Sequence, residues 1–152
     1  RIMVKSEKDR IVLHSTTVDI SGRGISIIGD SGAGKSSLAI KLIAMGAKLV
    51  SDDITLMEIV GEKILLTRPK EVPLAIEARG IGLLSVPLIK GSELFYFVKL
   101  GQHSMERLPL ECNKFCLGKP IRLIHFNPRS GNTSALFLML KHGLLDSMKL
   151  GK

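Results

Sequence analysis

The chain has 152 residues, 45% of them hydrophobic and 24% charged, with 15 Gly and 6 Pro, a composition that excludes a fibrous or disordered polymer. A chain of this length is expected to form one domain, residues 1–152, that buries about two-thirds of the surface its unfolded form would expose. Lys and Arg outnumber Asp and Glu by 22 to 14, a formal charge of +8, which suits anionic partners such as nucleotide phosphates, an acidic protein or nucleic acid.

From the N-terminus, Ile11 to Ile20 is rich in β-branched residues, with Val18 and Ile20 alternating with polar neighbours, and is predicted as a strand. Gly22 and Gly24 mark a turn, and Gly24 to Ile28 reads as a short buried strand. That strand runs into Gly29-Asp30-Ser31-Gly32-Ala33-Gly34-Lys35-Ser36, the pattern G-x-x-x-x-G-K-S. Leu38, Leu42, Ile43 and Met45 then recur at helical spacing from Lys35 to Met45, with Gly46 placed as a stop. An apolar strand over Lys48 to Ser51 ends in Asp52-Asp53. The segments ITLMEIV and KILL on either side of Gly61-Glu62 predict a hairpin. After a Pro-rich loop, Glu77 to Val86 carries two glycines in an apolar context. Strands are expected again near Leu94 to Leu100 and Ile121 to Phe126, and Ser134 to Leu145 reads as a closing helix. With no repeat and no obvious linker, the order implies a single α/β domain: a mixed β-sheet with flanking helices, carrying a phosphate-binding loop.

No apolar run approaches the ~20 residues of a membrane helix, and no basic segment followed by an apolar one opens the chain as a secretory signal would. Two cysteines, Cys112 and Cys116, are too few for a disulfide scaffold and wrongly spaced for a Cys-x-x-Cys site. A soluble cytoplasmic protein with free thiols is expected. One Tyr, five Phe and no Trp supply few stacking platforms for single strands, and no Arg- and Lys-lined recognition helix stands out, so nucleic acid is set aside.

The 29–36 loop carries the strongest chemical signal. Gly29 and Gly34 permit backbone angles and close approach that a β-carbon forbids, so consecutive amides can converge on phosphate oxygens. Lys35 can reach the β- and γ-phosphates, the Ser36 hydroxyl can ligate a bridging Mg2+, and the helix start adds its positive dipole end. Phosphoryl transfer also needs a carboxylate to orient the nucleophile and take its proton. Asp52 and Asp53 are the leading candidates, because a parallel crossover through the helix would return the chain beside the loop. Taken alone, the pair also fits a polar turn, and spacing does not rank one aspartate above the other.

Three features together resemble the HPr kinase/phosphorylase family: GDSGAGKS followed by LVSDD; the segment Glu77-Ala78-Arg79-Gly80-Ile81-Gly82-Leu83-Leu84-Ser85-Val86, similar to the family's Glu-x-Arg-Gly-x-Gly signature; and His14-Ser15 ahead of a Val-Asp-Ile strand, where the family has its active-site histidine. The resemblance covers roughly residues 10 to 130. It implies the fold of that family's C-terminal catalytic domain and an ATP- and Mg2+-dependent serine kinase of an HPr-type phosphocarrier protein, which also removes the phosphate by attack of inorganic phosphate. Within it, Asp53 takes the serine proton, Ser36 and Glu77 hold Mg2+, Lys35 steadies the β- and γ-phosphates, His14 lies beside the transferring group, and Arg107 matches an arginine of the site. Gly29, Asp30, Ser31, Gly32, Ala33, Gly34, Lys35 and Ser36 bind the nucleotide. The family's different placement of its metal-binding Asp also accounts for the lack of an ordinary Walker B strand after Ser36.

The family's longer members carry a further N-terminal domain, whereas 13 residues precede His14 here, so the resemblance is to the short, catalytic-core form, without regulation through that domain. Asn127 to Asn132 matches loosely the basic loop that the family ties to dephosphorylation. A homo-oligomer, a hexamer by resemblance, and a signalling role are implied as well. From the residues themselves two other readings stay open: a P-loop kinase of a small molecule, and a non-catalytic nucleotide-sensing module. The first would normally bring an Arg-rich lid, and the second would not need Asp53 and Glu77.

Overall fold

The computed structural model describes residues 9–101 and 112–145. In chain order these form β1 (Arg10–Leu13), β2 (Thr16–Ile20), β3 (Arg23–Ile28), α1 (Lys35–Ala44), β4 (Lys48–Ser51), β5 (Thr55–Val60), β6 (Lys63–Thr67), β7 (Ile76–Ala78), β8 (Gly82–Leu84), β9 (Gly91–Leu100), β10 (Cys112–Cys116), β11 (Lys119–Phe126) and α2 (Thr133–His142). The fold is a mixed α/β one, as expected. Nine strands make one sheet in the order β1-β5-β6-β9-β3-β2-β4, with β11 also paired to β9 and β10 beyond it, while β7 and β8 form a separate hairpin. Among the described residues no helix is long and apolar enough to cross a membrane.

Turn chemistry sets much of this register. Ser21 (φ 52°) and Gly22 (φ 89°) close β2 onto β3, and Leu117 (φ 50°) and Gly118 (φ 80°) close β10 onto β11; positive φ at both central residues matches the twist of the strands they join. Gly61-Glu62 turns β5 into β6, as the sequence predicts. Where β3 meets β9, a β-carbon on Gly24 would stand 2.5 Å from the Glu93 carbonyl oxygen, so only glycine allows that approach. The β3–β9 register slips between Gly24 and Ile25, leaving Phe95 as an extra residue. Such a bulge re-aims the strand.

The sheet separates two apolar layers. On one face, Leu38, Ala39, Leu42 and Ile43 of α1 and Leu136, Phe137 and Leu140 of α2 pack on Val18, Ile20, Ile25, Ile27, Val98 and Leu100. On the other, Val50, Met57, Ile64, Leu66, Leu94, Phe97 and Cys116 form a second cluster. Burial pushes the Cys116 thiol up, against a smaller opposing pull from Lys114, and its sulfur lies 3.7 Å from that of Met57. The outer edge of β4 is covered by the following chain, since the Leu49 amide donates to the Pro87 carbonyl and accepts, through its own carbonyl, from Ile89, which shields an otherwise exposed strand edge.

Four differences from the sequence reading have local causes. The single strand expected over Ile11 to Ile20 is two, β1 and β2, broken at His14-Ser15, because β1 pairs with β5 while β2 pairs with β3 and β4. Strand β9 begins at Gly91, where it first pairs with β6. Strand β10 is not among the expected elements; it forms because the Leu117-Gly118 turn folds Cys112–Cys116 back onto β11. Helix α2 stops at His142, since Gly143 adopts φ 83° and leaves the helical path.

Candidate active site

The 29–36 loop lies between the end of β3 and the start of α1. Gly29, Gly32 and Gly34 all take positive φ, at 153°, 82° and 101°, the strained backbone that a converging row of amides requires. A turn is closed by the Ala33 amide donating to the Asp30 carbonyl at 2.9 Å. No side chain caps α1 at Gly34, so its first-turn amides and dipole are available to an anion. The Lys35 ammonium donates to the carbonyls of Gly29 at 3.0 Å and Asp30 at 3.3 Å, which keeps its charge on the loop.

Strand β4 runs parallel to β3 with β2 between them, so the crossover through α1 skips one strand before setting Asp52 and Asp53 next to the loop. Ser36 Oγ donates to Asp52 Oδ1 at 2.7 Å, and Thr16 Oγ1 donates to the same oxygen at 3.0 Å. Asp53 differs. It is exposed, stands at φ 70° and is bonded only through its backbone, its amide donating to Thr16 Oγ1 at 3.2 Å. Two aspartates that spacing alone left equivalent are thus separated by geometry: Asp52 is tied to the loop serine, and the Asp53 carboxylate has no hydrogen-bond partner among the described residues.

These groups open into a cleft of about 980 Å³ lined by Ser31, Gly32, Gly34, Lys35 and Ser36, by Asp52 and Asp53, and on the far side by Glu71 to Pro73, Glu77 and Arg79. The far wall hangs on buried Ile76 and Val72 and on Arg68, whose guanidinium donates to the carbonyls of Pro69 and Val72. Glu77 and Arg79 flank the start of the β7–β8 turn and are exposed. Of the site residues read from sequence, Ser31, Gly32, Gly34, Lys35, Ser36, Asp53 and Glu77 meet on this cleft; Gly29, Asp30 and Ala33 complete the loop behind it. His14 is exposed at the break between β1 and β2 and does not line the cleft. Arg107 lies outside the described residues.

The volume suits a nucleotide, and the donor set suits its metal. Among the described residues no group of three or more His, Cys, Asp or Glu converges; magnesium is commonly held by one or two carboxylates together with substrate phosphates, and Ser36, Asp52 and Glu77 are positioned on the cleft to contribute. Sequence reasoning missed Thr16 and the segment around Glu71. Thr16 carries no local signal, because the two residues it joins lie 36 and 37 positions away.

Known proteins are similar to the chain in sequence and in fold. The HPr kinase/phosphorylase of Ralstonia pickettii (strain 12J) is 32% identical over 141 residues, which is 85% of this chain and 44% of that protein. That of Lachnoclostridium phytofermentans is 42% identical over 85 residues, 55% of this chain and 28% of its own. The chain therefore spans less than half the length of these curated relatives. Among solved structures, the HPr(Ser) kinase/phosphatase from Coxiella burnetii superposes with a TM-score of 0.77 at 22% identity, covering 92% of each chain, which shows the shared fold. Residues 6–99 match the HPr Serine kinase C-terminal domain, and the chain belongs to that family.

Proposed function

We propose that this chain is an ATP- and Mg2+-dependent serine kinase of an HPr-type phosphocarrier protein, and that it also removes the phosphate by phosphorolysis. The observation that carries this reading is the convergence, on one cleft, of the loop lysine and serine with an engaged aspartate, an unengaged aspartate and a carboxylate on the opposite wall. Magnesium bound with the nucleotide supplies charge neutralisation on the phosphates.

The chain's own groups then divide the work. Loop amides and the α1 start hold the phosphate chain, and Lys35, once drawn from the Gly29 and Asp30 carbonyls, meets its charge. Asp52, by accepting the Ser36 proton's hydrogen bond, orients the serine hydroxyl and would leave its lone pairs free to hold the metal. Asp53, exposed and without a side-chain partner, takes the proton of the incoming serine hydroxyl, and in the reverse direction returns one to the serine oxygen as phosphate attacks. Glu77 approaches from the hairpin side. His14 and Arg107 are assigned no step. The same reading includes a cytoplasmic location, a single catalytic domain over 1–152, and a homo-oligomer.

The test is transfer of labelled γ-phosphate from Mg-ATP to an HPr-type phosphocarrier protein and to its acceptor Ser→Ala version, followed by inorganic phosphate. Label on the unmodified carrier alone, then lost as pyrophosphate appears, is the expected result. ATP binding without label on either carrier would overturn the reading in favour of a sensor or another substrate.

A further inference from the structure

Thr16 is fully buried at the start of β2, yet its hydroxyl reaches both members of the aspartate pair: it donates to Asp52 Oδ1 at 3.0 Å and accepts from the Asp53 amide at 3.2 Å. One proton and one lone pair satisfy both bonds, so the contacts are compatible in a single rotamer. We propose that Thr16 is a positioning residue that sets the Asp52–Asp53 turn against the loop serine, an inference that rests on the kinase reading for its effect on transfer but not for its structural content.

Three features support it. Asp53 is a non-glycine residue at φ 70°, a conformation that persists only where the surroundings hold it, and the Thr16 bond to its amide is such a hold. The β2–β4 register slips between Thr17 and Val18, pairing Thr17 with Ser51 and Val18 with Leu49; Val50 is the extra residue, and the bulge carries the end of β4 alongside Thr16. Beneath lies a buried layer of hydroxyls: Thr17 Oγ1 is 2.8 Å from Thr55 Oγ1 and donates to Ser26 Oγ, and Thr55 Oγ1 donates to the Ser15 carbonyl. Main-chain pairing with β3 and β4 sets the position of the strand that presents Thr16, the hydroxyl layer adds stability beneath it, and the turn closes on itself through the Ile54 amide donating to the Asp52 carbonyl at 2.8 Å. Without the Thr16 hydroxyl, Asp52 keeps Ser36 but the Asp53 backbone loses its anchor.

The experiment compares Thr16→Val, Thr16→Ala and Thr16→Ser with Thr17→Val, a buried hydroxyl that touches neither aspartate. Loss of the Thr16 hydroxyl is expected to lower kcat for phosphoryl transfer about 10- to 100-fold, since displacements near 1 Å have such effects, with KM for Mg-ATP changed less than about 3-fold. Thr16→Ser recovers most of the loss, and Thr17→Val lowers the melting temperature while keeping kcat. Hydrogen exchange at the Asp53 amide, read on the ATP-free protein, accelerates in Thr16→Val and Thr16→Ala and not in Thr16→Ser. Unchanged Asp53 exchange in Thr16→Val, or a kcat loss that Thr17→Val matches or Thr16→Ser fails to repair, overturns the assignment. If the unmodified protein transfers no phosphate at all, the kinase reading falls, and the amide exchange still decides the role of Thr16.

Discussion

The two walls of the cleft share one core but are rooted in it to different depths. The loop wall stands on the first core: Leu38, Ala39 and Leu42 are buried directly beneath the residues that begin α1, and Ser36 and Thr16 both bond to Asp52. The hairpin wall reaches the same core through Ile76, with Leu84 and Val86 packed partly buried against it, and is otherwise held by Val72 and the Arg68 strap, while Ile81 and Leu83 are 79% and 68% exposed. A wall rooted in a packed core suits a ligand part of constant shape, such as a phosphate chain. A wall held by a few anchors suits the side that a variable partner approaches, because sparsely packed segments are those that move at low cost.

Substitutions on the two walls should therefore fail differently. On the loop wall, Lys35→Ala removes the mobile charge and is expected to abolish detectable ATP turnover, measured by phosphate release and transfer. Asp53→Asn leaves the loop intact, so nucleotide affinity by calorimetry stays near that of the unmodified protein, while transfer falls by about 10²- to 10⁴-fold, the range for loss of a general base. Retained transfer in Asp53→Asn would remove it from that role. On the hairpin wall, Glu77→Gln changes an exposed side chain and leaves the melting temperature unmoved; the Mg2+ concentration for half-maximal rate rises about 10-fold if Glu77 supports the metal. Arg68→Met, which removes the Nη1 donor from the Pro69 and Val72 carbonyls, is expected to cost about 1 kcal/mol in urea unfolding and to raise KM for the carrier more than KM for ATP. Equal changes in both would erase the distinction between the walls.

The loop wall was legible because its constraints are local in sequence. Gly29 to Ser36, the apolar period of α1 and the strand ending at Asp52-Asp53 each announce themselves within about ten residues, and all fall where the structure has them. The ranking of the aspartates was not legible: Asp52 is distinguished by hydroxyls at 16 and 36 positions' distance, which no window contains. The hairpin wall was read only through resemblance, since Glu77 and Arg79 carry no periodicity and their place on the cleft depends on Arg68 and Ile76 folding the preceding loop. The break at His14-Ser15 escaped for a related reason, because β-branched residues run on both sides of it and only strand pairing separates them.

Strand β9 contributes side chains to both apolar layers. Its first residues pair with β6, its last with β11, and most of its other edge with β3, and the Phe95 bulge lets it send Leu94 and Phe97 into one apolar layer and Val98 and Leu100 into the other. It is a common spine for both layers. Melting either layer would strip contacts from a strand the other also needs, so the two are expected to unfold in one transition, and a disturbance behind the second core has a direct backbone route to the strand that borders the phosphate loop.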